Sequence, residues 1–209
     1  MDDFTYTAET ILGAPVTFVP GFLAPDVADA ALAGLLSELR WERRISRVYG
    51  KDVYVPRSEV WIAERPYTYS HRTYQPAPWT PTLLKIKAEV EAAASSEFNS
   101  VLVNRYENET DSVGWHADDE PEMSHQHPIA SLSLGSTRRF QIRKGRGPIQ
   151  TIELGPGSLL VMQPGMQREW KHQVPKARKS CGLRVNLTFR WMIFARYELT
   201  GGTCGHIDH

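Results

Sequence analysis

Several features are scarce in this chain of 209 residues, and each scarcity argues against a class of protein. Cysteine occurs only twice, at Cys181 and Cys204, so neither a disulfide framework nor a structural zinc site is expected. No run of about 18 apolar residues is present, and we therefore expect no membrane-spanning helix. The acidic N-terminal residues lack the basic and apolar regions of a signal peptide, which predicts a reducing, cytoplasmic location.

Net charge is also absent, because 24 Lys and Arg balance 24 Asp and Glu. A neutral chain is not typical of a protein that binds nucleic acid. The balance hides two unlike parts: residues 1–137 hold 11 basic and 20 acidic residues, a charge of −9, and residues 138–209 hold 13 and 4, a charge of +9. This asymmetry indicates a charged face, although two solvated surfaces of opposite sign would give the same numbers.

Hydrophobic residues make up 41% of the chain, which is enough for the core of one functional domain. Two helices are predicted in the N-terminal part. The first follows Pro25 and is capped by Asp26, and the second begins at Thr80 and Pro81. The apolar stripes at helical spacing are Val27, Ala30, Ala31 and Leu35 in the first helix, and Leu83, Leu84, Ile86 and Val90 in the second.

Short β-branched or alternating segments follow one another from residue 99 onward, separated by turns rich in Gly and Pro. Such a series predicts a β-sandwich or jelly roll rather than a βαβ fold. The predicted strands are 100–106, 111–118, 129–135, 138–144, 149–154, 158–163 and 183–191.

The last of these strands is apolar on one face and polar on the other, because side chains alternate along a strand. Its polar face either lies in water, as in many antiparallel sheets, or lines a binding cavity. The residues of that face are Arg184, Asn186, Thr188 and Arg190.

The segment WHADDE places His116 and Asp118 two residues apart, and His172 follows in EWKHQVP. Two histidines and one carboxylate form the facial triad of non-haem Fe(II) oxygenases. His125 and His127 have the same spacing but lie in a polar loop, and a lone His172 is also compatible with a structural role. A 2-oxoglutarate oxygenase typically has these features in this order: the histidine and aspartate, a distal histidine, and a strand that bears arginine. The arginine suits the far carboxylate of that cosubstrate.

Six motifs resemble those of the AlkB family of Fe(II)/2-oxoglutarate dioxygenases. They are NRY (104–106), HADDE (116–120), IASLSLG (129–135), GSLLVM (157–162), WKHQVP (170–175) and RVNLTFR (184–190). The resemblance covers roughly residues 41–191. With RVYGKDVYVPR (47–57) and YTYS (67–70), the chain is similar to the homologue 2 and 3 branch, the DNA dealkylases.

The resemblance implies an α+β protein: a double-stranded β-helix, or jelly roll, with N-terminal helices and a nucleotide-recognition lid. Residues 1–98 would form the helices and the lid, residues 99–191 the catalytic core, and residues 192–209 a flexible tail. The protein would be a monomer without a membrane partner.

The resemblance also implies the roles of the site residues. His116, Asp118 and His172 would bind Fe(II) and form the catalytic centre, with O₂ and 2-oxoglutarate as cosubstrates. Arg184 would pair with the distal carboxylate of 2-oxoglutarate, and Arg190 would lie near its keto acid. The remaining residues of that pocket would be Asn104, Tyr106, Asn186 and Thr188.

The implied substrate is alkylated DNA, from which 1-methyladenine and 3-methylcytosine would be demethylated with release of formaldehyde, succinate and CO₂. A hairpin over 45–54 would carry Tyr49 as a finger that wedges into the duplex. Tyr67 and Tyr69 would stack on the flipped base, and the acidic pair Asp119 and Glu120 would favour a cationic, methylated base.

Three alternatives stay open at this point. The substrate could be RNA or a protein side chain, or the chain could be a non-catalytic jelly-roll binding module. The basic runs 138–146 and 175–179 could contact phosphates, but solvated charges on loops explain them equally.

Overall fold

The computed structural model describes residues 9–11, 13–43, 45–48, 51–69 and 72–194. Two antiparallel sheets and two long helices dominate this part of the chain. The helices are α1 (Pro25–Glu38), α2 (Pro81–Ala94) and the short α3 (Met166–Glu169). None of the described helices combines the length and the apolar content that a crossing of the bilayer requires.

The strands before α2 are β1 (Glu9–Thr10), β2 (Val16–Val19), β3 (Ile45–Val48), β4 (Lys51–Tyr54), β5 (Ser58–Ala63), β6 (Tyr67–Tyr69) and β7 (Arg72–Tyr74). The strands after α2 are β8 (Ser100–Tyr106), β9 (Val113–His116), β10 (Ile129–Gly135), β11 (Arg138–Lys144), β12 (Gln150–Leu154), β13 (Ser158–Met162), β14 (Trp170–Val174) and β15 (Arg184–Arg190).

The larger sheet has seven strands in the order β1-β2-β13-β10-β15-β8-β5, and the smaller sheet has four in the order β12-β11-β14-β9. Two separate hairpins, β3–β4 and β6–β7, lie between β2 and α2 in the chain. The N-terminal segment expected to carry helices and a lid therefore also supplies strands to the larger sheet, since β2 pairs with β13 and β5 with β8.

Alternation along the strands builds two hydrophobic cores, one on each face of the larger sheet. In β13, Leu159 and Val161 belong to the core shared with α1 and α2, whereas Leu160 and Met162 belong to the core shared with the smaller sheet. The two sheets thus pack face to face and the helices cover the outside of the larger one, which is the arrangement predicted for a jelly roll with N-terminal helices.

The helix boundaries are close to prediction, but some details were wrong. Thr80 caps α2 as predicted, since its Oγ1 accepts a hydrogen bond from the Leu83 N–H. Asp26 does not cap α1: the helix begins at Pro25, two residues earlier than a cap at Asp26 implies, so Ala24 takes the cap position and makes no side-chain bond. Asp26 instead lies in the first turn, where a carboxylate favours the helix dipole.

The inward stripes are also narrower than predicted. In α1 the buried residues are Ala28, Ala31 and Leu35, and the predicted Val27 and Ala30 are exposed. In α2 the predicted Leu84 is exposed as well. At 3.6 residues per turn, each residue is rotated by about 100° from the one before it. Each of the exposed residues is next in sequence to a buried one and is therefore turned away from the sheet.

Most predicted strands agree with the structure within one residue, and two differences concern the site. The strand predicted over 111–118 covers only Val113–His116, so Asp118 lies beyond its end. The strand Trp170–Val174, which carries His172, was not predicted as a strand. Of the predicted tail, Met192 is buried and its N–H donates to Asn99, and residues 195–209 lie outside the described part of the chain.

Candidate active site

Two histidines meet across neighbouring strands of the smaller sheet. His116 ends β9, His172 is the middle residue of β14, and the two are partners in the antiparallel ladder. Directly opposed residues of a ladder lie on the same face. The two imidazole rings accordingly approach to 4.2 Å between centroids.

Asp118 completes the cluster from outside the strand, so a shared strand face is not what brings it to His116. Its backbone N–H donates to Oε1 of Gln167 at 3.0 Å, and its Oδ2 accepts a hydrogen bond from Nη2 of Arg190 at 2.8 Å. One ligand atom from each of His116, Asp118 and His172 lies within 4.8 Å of the other two. The predicted triad is therefore assembled in space.

The protonation states of the triad suit a metal. Burial lowers the pKa of His172 to about 4, although the neighbouring Asp118 opposes the shift. Burial alone would raise the pKa of Asp118, but Arg190 and the two histidines outweigh it and hold the value at about 2. At neutral pH the site thus offers a neutral His172 and a charged Asp118, the forms that bind cations.

Hydrogen bonding also prepares His116. Its Nδ1 lies 2.7 Å from the backbone oxygen of Gly114, which can only accept, so Nδ1 carries the proton. In the neutral imidazole Nε2 then keeps its lone pair, and it faces Asp118 Oδ1 at 3.7 Å. Buried Nδ1 of His172 has no hydrogen-bond partner among the described residues. Two imidazoles and one carboxylate with an unsatisfied buried nitrogen fit Fe(II) in a facial triad.

A cavity of about 310 Å³ adjoins the triad. It contains five residues expected around 2-oxoglutarate: Asn104, Tyr106, Asn186, Thr188 and Arg190. The other lining residues are Arg57, Leu102, Val113, His116, Asp118, Glu120, Ser131, Phe140, Met162, His172 and Val174.

The polar face of β15 points into this cavity and its surroundings rather than into water. Asn186 donates through Nδ2 to Thr188 Oγ1 at 3.0 Å, and its Oδ1 accepts from Ser131 Oγ at 3.2 Å. Asn186 and Thr188 are both buried. Of the two interpretations that the sequence left open for this strand, the structure supports the binding cavity.

Arg184 is the deepest cation of the site, with no exposed surface. It does not line the cavity itself but touches two residues that do: its guanidinium lies 5.1 Å from the Tyr106 ring, and Nη2 donates to Asn186 Oδ1. Nη2 also donates to Ser133 Oγ at 2.9 Å. Nε and Nη1 have no hydrogen-bond partner within the described part of the chain.

Burial lowers the pKa of Arg184 to about 10, partly offset by Tyr106, so the group stays cationic at neutral pH. A buried cation with unsatisfied donors is costly unless an anion joins it. The planar fork of a guanidinium matches a carboxylate. The residue therefore fits the distal carboxylate of a small dicarboxylic acid.

The sequence did not predict several residues of the site, and two of them bond its predicted members from distant parts of the chain. Arg57 lines the cavity, donates through Nε to Asn104 Oδ1 at 2.7 Å, and lies 3.4 Å from Glu59 through Nη2. Gln167 holds the backbone of Asp118. Arg57 stands within the quoted motif 47–57 but nothing in its spacing points to the cavity, and Gln167 belongs to no motif.

The residues expected to contact the substrate are only partly placed. Glu120 lines the cavity, where burial raises its pKa, whereas Asp119 is exposed and does not line it. The backbones of Tyr67 and Tyr69 form β6, but their side chains lie outside the described part, as does all of Tyr49.

The alternative histidines do not join the triad. Nδ1 of His127 lies 2.7 Å from Ser124 Oγ, and its ring stacks on Trp191 with 4.9 Å between centroids. His125 lines a much smaller cavity beside Asp118. His127 is accounted for by these local contacts.

Parts of the two basic runs converge on a second cavity of about 470 Å³. Its charged lining residues are Arg138, Arg139, Glu153, Arg178 and Lys179. The C-terminal part of the basic run 138–146 does not line this cavity. There, Arg143 stacks over the Trp115 ring at 4.2 Å and Lys144 pairs with Glu169 at 2.9 Å.

Comparison with known proteins gives matches over most of the chain. Residues 15–190 match the family model described as the 2OG-Fe(II) oxygenase superfamily. The alpha-ketoglutarate-dependent dioxygenase alkB homolog 3 of Homo sapiens is 41% identical over 186 residues, covering 84% of this chain and 65% of that protein. The DNA oxidative demethylase ALKBH2 of Arabidopsis thaliana is 32% identical over 211 residues, covering 87% of this chain and 67% of that protein.

The chain thus spans 65% of the length of its homolog 3 relatives. A solved structure of OsALKBH1 is similar in fold, with a TM-score of 0.64 at 18% identity, and covers 88% of this chain and 100% of that one. The jelly-roll fold predicted from the strand pattern is confirmed.

Proposed function

The chain belongs to the 2OG-Fe(II) oxygenase superfamily and, within it, to the AlkB family, and we propose that it is a dioxygenase that demethylates nitrogen atoms of nucleobases. The proposed substrates are 1-methyladenine and 3-methylcytosine in DNA. The names of two relatives support this choice, since one is a DNA oxidative demethylase and the other an alkB homolog.

The observation that carries the proposal is the convergence of His116, Asp118 and His172 beside a cavity walled by the polar face of β15. When bound there, Fe(II) with O₂ and 2-oxoglutarate would supply the oxidation of an N-methyl group, giving succinate, CO₂ and formaldehyde. A binding module with a purely structural triad would not require the unsatisfied guanidinium of Arg184 behind Tyr106 and Asn186 of the same cavity.

The residues around the iron site have separable tasks. Arg184 would bind the distal carboxylate of 2-oxoglutarate with Tyr106 and Asn186 beside it. Arg190 would keep Asp118 charged and aimed at the metal, since its guanidinium bonds Oδ2. Asn104, held by Arg57, and Thr188 would line the remaining cosubstrate pocket.

Glu120 supports a nucleobase as the substrate. It lines the same cavity as the triad and has a buried Oε2 without a partner among the described residues. Methylation at N1 of adenine or N3 of cytosine makes the base cationic, so a nearby carboxylate would favour the lesion over the normal base. A base in a duplex must be flipped out to reach such a cavity.

The second cavity supports a polymeric substrate. Arg139, Arg178 and Lys179 come together there, and Glu153 is the one acidic residue among the described residues that line it. Pro175, another lining residue, directly follows β14, the strand that carries His172. Phosphates on either side of a flipped nucleotide would find cations at this place.

The test is a panel of oligonucleotides carrying 1-methyladenine or 3-methylcytosine, as single- and double-stranded DNA and RNA, analysed by product mass. The expected result is loss of the methyl group from DNA, with formaldehyde and succinate formed in step. His116→Ala should abolish the turnover. Demethylation of RNA but not of DNA would identify RNA as the substrate. Turnover by His116→Ala would show that the triad does not bind the catalytic iron.

A non-catalytic binding module is distinguished by a spectrum. Fe(II) and 2-oxoglutarate chelated together without oxygen should give a weak visible absorption band. A folded, metal-loaded protein that shows no such band would be a binding module rather than a dioxygenase.

A further inference from the structure

Gln167 is a buried glutamine between the two segments that carry the metal ligands. It lies in α3, the single turn between β13 and the strand that bears His172, and only 8% of its surface is exposed. Gly165, which begins this turn, has φ of 85°, a left-handed conformation that glycine adopts without a steric penalty.

Both ends of the Gln167 amide are occupied. Oε1 accepts a hydrogen bond from the backbone N–H of Asp118 at 3.0 Å, and Nε2 donates to the sulfur of Met162 at 3.4 Å. A backbone N–H can only donate, so the carbonyl end of the amide must face Asp118. The orientation of Gln167 follows from its partners.

The bond matters because of where Asp118 lies. Strand β9 ends at His116, and Asp118 is 5% exposed in an irregular stretch. A buried N–H outside a ladder needs a partner, and Gln167 is the one it has. Its carboxylate is fixed separately by Arg190. Two bonds from distant parts of the chain therefore determine where the metal carboxylate points.

We propose that Gln167 is a positioning residue for the metal site, which holds the main chain of Asp118 so that its carboxylate faces His116 and His172. Through Met162 in β13 the residue also ties this stretch to the larger sheet, whereas both histidines belong to the smaller one. The inference rests on the metal site of the proposed function, but not on the identity of the substrate.

The test uses the whole protein and Mn(II) alone, without cosubstrate or nucleic acid. Gln167→Met keeps the length of the side chain and removes the acceptor, so Mn(II) affinity should fall roughly 10- to 100-fold, as is typical when a partner of a metal ligand is lost. Gln167→Glu keeps an acceptor and should retain most of the affinity.

Gln173→Met is the matched control. Gln173 directly follows His172 in β14, but its amide bonds Gln141 at 2.7 Å and does not touch the triad. This variant should bind Mn(II) as the unaltered protein does. Equal losses in Gln167→Met and Gln173→Met, or an equally weak Gln167→Glu, would overturn the proposal.

A second measurement starts from the unaltered protein and so tests the proposal even if a variant does not fold. In the unaltered metal-free protein, the Asp118 amide should be protected from hydrogen exchange, and in folded Gln167→Met it should exchange faster. An unprotected Asp118 amide in the unaltered protein would also overturn the proposal. Since neither readout involves demethylation, failure of the proposed reaction is distinguishable from failure of this inference.

Discussion

At the scale of single residues, two buried arginines in similar surroundings have different partners. Arg184 bonds side chains and leaves Nε and Nη1 without a partner among the described residues. Arg138 leaves only Nε without one, since both of its Nη atoms donate to backbone oxygens, those of Asn108, Asp111 and Pro175. The first arrangement leaves capacity for a ligand, and the second ties three segments of chain together. The difference separates a binding role from a structural one.

Replacing Arg184 should therefore act on the cosubstrate. In Arg184→Met the apparent KM for 2-oxoglutarate should rise roughly 10- to 100-fold, since hydrogen bonds to a charged group are worth about 1.5–3 kcal/mol. Arg138→Met is the contrast: its thermal stability should fall, and its KM should change much less, because its guanidinium reaches the cosubstrate pocket only through the Tyr106 ring, 5.5 Å away. Steady-state kinetics and thermal unfolding of both variants measure this, and an unchanged KM in Arg184→Met would contradict the assignment.

His172 predicts a pH dependence of the stability of the metal-free protein. Burial holds its pKa at about 4 in the folded state, against 6.5 ordinarily. The unfolded chain therefore binds the proton first, and stability falls as the pH drops from about 6.5 towards 4. Between pH 7.5 and pH 5 the loss attributable to this one group should be about 2 kcal/mol.

Urea unfolding at the two pH values measures this loss, and the control is His172→Gln, which should lack that part of it. Asp118 contributes only at lower pH, because its pKa is lowered from 3.8 to about 2 and its stabilisation disappears as the pH falls through that range. An equal pH dependence in His172→Gln and the unaltered protein would show that other groups are responsible.

At the scale of elements, strands were predictable where the alternation of apolar and polar residues in the sequence follows the alternation of buried and exposed side chains. The strands β8, β10, β11 and β15 have the predicted bounds within one residue, because their side chains face a core on one or both sides. Strand β14 was missed because the polar His172 occupies the centre of its inward face, so only Trp170 and Val174 mark that face as apolar.

The triad was predictable as a set of ligands but not as a geometry. The motif places His116 and Asp118 two residues apart, and a continuous strand would have explained their proximity. The strand ends first, and the chain is held by Gln167 and Arg190, which lie far away in sequence. Bonds between distant side chains leave no local pattern, which is why Gln167 and Arg57 were not found from the sequence.

The hairpin of β3 and β4 carries the prediction about duplex DNA. Val48 and Lys51 are its last ladder pair, and Tyr49 and Gly50, which lie outside the described residues, stand between them in the sequence. As a wedge, Tyr49 would fill the gap left by the flipped base in a duplex and would have no such gap to fill in a single strand. Tyr49→Ala should therefore lower kcat/KM on duplex substrates more than on single strands.

Tyr54 offers a matched control for this experiment. It lies in the same hairpin at the end distant from the turn, and it is 63% exposed. Tyr54→Ala should affect single- and double-stranded substrates alike. If Tyr49→Ala also lowered both activities equally, the hairpin would not act as a duplex wedge.

At the scale of the whole molecule, the net charge is zero because an acidic part, residues 1–137, balances a basic part, residues 138–209. The acidic part contains Asp118 and Glu120, and the basic part contains Arg184, Arg190 and the cations of the second cavity. The cations are used locally, since Arg190 pairs with Asp118 and Lys144 with Glu169. The chain as a whole has no net charge to attract a polyanion, so nonspecific affinity should be modest.

The salt dependence of DNA binding tests this division. The logarithm of affinity falls with the logarithm of salt concentration by about 0.9 for each phosphate contact. If Arg139, Arg178 and Lys179 supply most contacts, the slope for unmodified duplex should be about −3. The double variant Arg178→Ala and Lys179→Ala should make the slope shallower, at about −1. Lys176→Ala is the control, because Lys176 belongs to the same run but does not line the cavity. A much steeper slope that the double variant leaves unchanged would place the phosphate contacts elsewhere on the protein.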